Sequence, residues 1–133
     1  MKKRLLGLAV TAHLVTAMLL AVAPVAAAGS AFAGTWTSID NDGSFQMLTV
    51  SGGNAPSVTY QDFFASSCQR DGSPSTHWVS AGQGTVDGDT LFVDFHKSGC
   101  GRLTIGAYAD AYTYDAGSDT LTDTFGIVWE RST

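Results

Sequence analysis

The chain has 133 residues, 44% of them hydrophobic, with seven Lys and Arg against twelve Asp and Glu. Lys2, Lys3 and Arg4 crowd the start, so the stretch after residue 28 keeps Arg70, Lys97, Arg102 and Arg131 against eleven Asp and one Glu, four positive charges against twelve negative, or −8. That balance excludes nucleic acid and anionic membrane surfaces as partners, because phosphate recognition needs clustered Lys and Arg, and it leaves a cationic ligand or a basic protein electrostatically allowed.

Residues 1–28 read as a signal peptide: "MKKR" is a basic n-region, "LLGLAVTAHLVTAMLLAVA" an apolar h-region, and "PVAAAG" a small-residue cleavage region. Cleavage fits a small-x-small rule after Ala28, through Ala26 and Ala28, or after Ala33, through Ala31 and Ala33. Ala28 is favoured, since cutting at Ala33 would leave Trp36 almost at the new terminus with nothing to anchor a first strand. An uncleaved anchor needs about 20 apolar residues, and His13 and Pro24 weigh against it. The expectation is an exported protein, secreted or periplasmic, with no membrane segment after cleavage. Residues 29–133 are enough for one small domain and too few for two.

From Gly34 onward the hydrophobic pattern has period two, with turn chemistry at short intervals and no sustained helical spacing. "TWTSI" (35–39) is a first strand, and "DNDG" turns it into "SFQMLTV" (44–50), a hairpin signal. "SGGNAP" breaks the chain before "SVTYQDFF" (57–64). The Ser-, Gly- and Pro-rich "ASSCQRDGSPST" (65–76) is the one long connection. "HWVSAGQGTV" (77–86), with Gly82 and Gly84 as marks of a bend or close backbone contact, turns through "DGD" into "TLFVDFHK" (90–97). "SGCG" leads into the longest strand pattern, "RLTIGAYADAYTYD" (102–115), followed by "TLTDTF" (120–125) and "GIVWERS" (126–132). Eight strands joined mostly by short turns make an all-β, antiparallel up-and-down meander, and eight suffice to close into a barrel.

Cys68 and Cys100 are the two cysteines, and in an oxidising compartment they pair. Closing a loop of that length removes unfolded-state entropy worth roughly 3 to 4 kcal/mol in the chain-entropy description. Neither cysteine sits in a CxxC or Cys/His cluster, so no metal or redox role is assigned.

Strand parity predicts which side chains face inward. Leu91, Val93 and Phe95 share one face, as do Phe125, Ile127 and Trp129, and as do Val58, Tyr60 and Phe64, interrupted by Asp62. In 102–115 either Tyr108, Tyr112 and Tyr114 face the lumen, walling it with apolar rings and polar tips, or Ala107, Ala109 and Ala111 do, leaving the tyrosines as an outer stripe for a protein or glycan; the tyrosines are favoured.

Most carboxylates fall in turns, Asp40, Asp42, Asp71, Asp87, Asp89, Asp115 and Asp119, where Asx chemistry explains them. "DNDG" and "DGD" do not extend to a full calcium loop, so no metal is assigned. Asp94 and His96, with Asp62, could form an acid/base or metal pair, but an outward solvated face is the favoured reading for the first two. With no HExxH, GxSxG, phosphate loop or catalytic Cys/His pattern, neither an enzyme nor a cofactor is assigned.

The early "GTW" around Trp36, the eight-strand meander and the final "WERS" together resemble the calycin superfamily of lipocalins and avidins. The resemblance implies that Trp36 plugs one end of a calycin-like barrel while Arg131 lies across its ring. It also implies ligand binding in the lumen. The expected ligand-binding residues are Trp36, Tyr60, Phe95, Tyr108, Tyr112 and Trp129, around a small apolar or aromatic molecule. The alternative is an acidic interaction or inhibitor module that captures a basic protein partner.

Overall fold

The computed structural model describes residues 31–66, 68, 76–100 and 103–133. The expected leader, its cleavage point after Ala28, and the part of the long connection that holds Arg70 and Asp71 lie outside the described residues.

Nine strand segments follow in order: β1 (Gly34–Ile39), β2 (Phe45–Val50), β3 (Ser57–Asp62), β4 (Trp78–Asp87), β5 (Thr90–Cys100), β6 (Leu103–Ile105), β7 (Tyr108–Asp115), β8 (Thr120–Asp123) and β9 (Val128–Arg131). Sequential neighbours pair antiparallel, β1 closes onto β9, and the sheet is an up-and-down barrel. The barrel has eight staves because β6 and β7 lie in one line along β5 without change of register: Ser98 pairs with Ile105 and Phe95 with Tyr108. The predicted single strand 102–115 is thus broken at Gly106 and Ala107. The break lies opposite His96 and Lys97, where β5 also shifts register against β4 by one residue, Ala81 facing Lys97 and Gly82 facing Phe95. His96 is the extra residue of that bulge, which reverses the parity of β5, so Ser98 and Cys100 are buried along with Leu91, Val93 and Phe95.

Local chemistry accounts for the turns. In the β1–β2 hairpin Gly43 has φ +87°, a conformation open to glycine at little cost, and its N–H donates to Asp40 O at 2.9 Å. The carboxylate of Asp42 accepts from Ser44 N at 3.0 Å, and Ser44, through its side chain first and its backbone N–H second, holds Asp42 below the ordinary carboxylate range. Gly82 serves close approach: a Cβ there would overlap Asp94 O and stand 2.9 Å from Phe95 Cα.

The core is a column of inward side chains, Trp36, Leu48, Val58, Leu91, Val93, Phe95, Tyr112, Leu121 and Trp129. The hairpin ends after β2, β4 and β7 stand at one end of the barrel, which is shut. There Phe32 is buried against Tyr114 with ring centroids 5.8 Å apart, and Phe32 O accepts from Trp36 Nε1 at 2.9 Å. The Arg131 guanidinium lies 4.0 Å from the Trp36 ring centroid, as the resemblance implies. Burying a ring such as Phe32 stabilises by about 1.5 to 3 kcal/mol. Cys68 and Cys100 form a disulfide, packed in a second small cluster with Ala65 and Trp78 near the opposite end.

Candidate functional site

The opposite end is framed by the β1–β2 hairpin, the segment after β3 and the loop between β8 and β9, and it leads into a cavity of about 350 Å³. That volume falls within the range of small-molecule sites. Tyr60, Tyr108, Tyr112 and Trp129 wall it, with Trp78 higher up and Phe125 beside the opening.

Four of the six expected ligand residues therefore converge on one lumen. Tyr60 and Tyr112 each stand edge-on to Trp129 with ring centroids 6.0 Å apart, a geometry aromatic pairs prefer. Phe95 is one layer back, stacked on Tyr108 at 4.8 Å, so it supports the wall without lining the cavity. Trp36 closes the far end and does not line the cavity either. Tyr108 and Tyr112 face inward, which resolves the choice between tyrosines and alanines on this strand; Ala107 and Ala109 are exposed.

Two parity expectations fail at the open end. Phe64 is 62% exposed, because β3 ends at Asp62 and the chain leaves the barrel in a turn. Phe125 is 78% exposed because Asp123 captures the loop that follows it. One carboxylate oxygen of Asp123 accepts from Phe125 N and Ile127 N, both at 2.9 Å, and the other from Trp129 Nε1 at 3.1 Å. Ile127 stays half-buried against the core, and Trp129 is fully buried as predicted. Thr124 Oγ1 donates to Asp110 Oδ1 at 2.6 Å, tying the same loop to β7.

The polar side chains of the lumen are the residues that sequence reasoning undervalued. Gln46, Asp62 and Asp123 are buried, and with Asp40 and Asp110 they line the cavity. Parity could have found Gln46, which shares a face with Leu48 and Val50, and Asp110, which shares one with Tyr108 and Tyr112. Gln46 Nε2 donates to the Tyr60 hydroxyl at 2.8 Å, whereas Gln46 Oε1 is buried with no partner among the described residues. The Tyr108 hydroxyl and Trp78 Nε1 both donate to Ser80 Oγ at 2.9 Å.

Electrostatics follow from this enclosure. Burial, and then the charges of Asp62 and Asp40, push the Tyr60 phenol far above its ordinary value; burial does the same to Tyr112 and raises Tyr108. All three are neutral hydroxyls at physiological pH. Burial also raises the Asp62 carboxyl, against the hydrogen bond from Phe64 N at 3.2 Å that stabilises its charge, and Asp42 and Asp40 add to the rise. Asp94 and His96 are exposed on the outer surface while Asp62 is inside, so these three do not converge. Among the described residues no three His, Cys, Asp or Glu side chains gather as a metal-ligand group.

Comparison with protein-family models, with curated proteins and with solved structures returned no match.

Proposed function

We propose that this protein is an exported carrier of calycin type, which takes a small molecule with an aromatic or apolar body into the barrel through its open end. The observation that carries the reading is the cavity of about 350 Å³ walled by Tyr60, Tyr108, Tyr112 and Trp129. A filled barrel would have placed side chains there instead. The plug of Trp36 under Arg131 supports the calycin assignment, and the buried disulfide accords with export. No cofactor, nucleic acid or membrane enters this reading.

Native mass spectrometry of protein recovered from its producing cells, compared with the same sample denatured, tests it. A small molecule released on denaturation, and no longer retained when Tyr60→Ala and Trp129→Ala are combined, is the expected result. Failure of a panel of small aromatic compounds to bind at millimolar concentration would overturn it.

A second reading is favoured by the rim. Ile39, Phe64 and Phe125 are exposed at the open end beside Asp40 and Asp42, an apolar and acidic edge suited to a basic protein partner. Capture of such a partner would weaken steeply with added salt. Capture that is unchanged in high salt would count against this reading.

A further inference from the structure

We propose that the lumen selects a ligand carrying a protonated amine on an aromatic body, the amine seated among Asp40, Asp62 and Asp110 and the body against Tyr60, Tyr108 and Trp129. This rests on the lumenal reading above and narrows its ligand class.

The argument begins with charge. Four aspartates, Asp40, Asp62, Asp110 and Asp123, line the cavity, and among the described residues none that lines it is Lys, Arg or His. Arg131 is committed at the other end, where it pairs with Asp119 at 2.8 Å. Carboxylates confined with no counter-charge among the described lining residues, in a partly desolvated space, attract a cation more strongly than the same groups would in water, and they repel an anion. The Asp62 carboxyl is raised first by its burial and, in smaller part, by the charges of Asp42 and Asp40.

Hydrogen-bonding capacity gives an independent reason. Gln46 is 3% exposed, its Oε1 has no partner among the described residues, and its side chain lines the cavity. An orphaned buried acceptor calls for a donor, and an ammonium supplies three with no acceptor of its own. Asp123 acts through charge alone, since both its oxygens already accept from the loop and from Trp129. The aromatic walls complete the fit, because the π-faces of Trp and Tyr attract an organic cation as well as packing its ring.

Isothermal titration of the oxidised protein with three indoles of nearly one shape tests the inference: tryptamine (cationic), tryptophol (neutral) and indole-3-acetate (anionic). The expected result is tryptamine at least tenfold tighter than tryptophol and indole-3-acetate at least tenfold weaker. Asp62→Asn combined with Asp110→Asn should remove most of the preference for the amine, whereas Asp94→Asn, on the outer face, should leave it intact. Equal affinities for all three would overturn the charge inference while the lumenal reading stands. No binding by any of them at millimolar concentration would overturn both. A preference that survives in the double variant would place the cation outside the lumen and overturn the inference.

Discussion

Arg131 covers Trp36 with its guanidinium while donating to the backbone of the chain that leads into β1, to Ala33 O at 2.7 Å and Ala31 O at 2.8 Å. One side chain of the last strand thus fixes the plug, the segment before it, and through Asp119 the β7–β8 turn.

Arg131→Lys keeps the charge but cannot reproduce this fork of donors. It should lower stability by about 1 to 3 kcal/mol, a loss of stacked and hydrogen-bonded contacts readable in urea denaturation. The hydrogen bond from Arg131 holds the Asp119 carboxyl below 3.8. A lowered folded-state value stabilises above the unfolded value, and that stability is lost as pH falls below about 3.8 through the folded value. Asp119→Asn should flatten this acid limb, and an unchanged limb would place its origin elsewhere.

Removal of residues 31–33 would delete the buried Phe32 ring, the acceptor for Trp36 Nε1 and both backbone acceptors for Arg131. A chain begun at Gly34 should be less stable than one begun at Gly29 by about 3 to 5 kcal/mol, the cost of losing a core aromatic. Paired thermal melts check this. The mature N-terminus, read by intact mass, should accordingly lie at or before Ala31.

Gly82→Ala would drive a methyl group into the β5 backbone at Asp94 and Phe95. Forced backbone shifts of this kind cost about 1 to 3 kcal/mol. The expected loss in a denaturation midpoint should exceed that of Gly52→Ala, where open space surrounds the glycine. Equal losses would mean that the bulge relaxes.

Asp62 faces Tyr60 and lies in the field of Asp40 and Asp42, and its carboxyl is raised above 3.8 chiefly by burial. The sign is opposite to that of Asp119: the stabilising contribution is complete below about 3.8, with the carboxyl protonated, and is lost as pH rises through the folded value. Asp62→Asn should therefore raise stability at neutral pH and leave it little changed near pH 3, as followed by melts across that range. A loss at neutral pH would show that the hydrogen bonds to its charge outweigh its burial.

The barrel was legible wherever period two runs unbroken. Leu91, Val93 and Phe95 face inward as parity demands, and the turns fall at their Gly, Asn and Asp signals. Parity fails past His96, because a bulge adds a residue without altering the alternation written in the sequence. It fails again at Phe125, where the turn is made by a carboxylate four residues from its last backbone partner, a local polar capture that hydrophobicity does not encode. The aromatic wall was readable, since Tyr and Trp announce large inward surfaces. The acidic lining was not, because an inward face is ordinarily identified by its apolar members, and Asp62 then reads as an interruption of the face to which it belongs.

The contact from Arg131 to Ala31 joins positions 100 residues apart. Pairings of such separation are late events in assembly, since their loop entropy must be overcome before they add stability. Until β9 pairs with β1 the sheet can twist and coil but cannot close, and neither plug nor lumen exists. The interior is thus a property of the closed ring alone: it is completed by the pairing of the first strand with the last, and no partial set of staves encloses it.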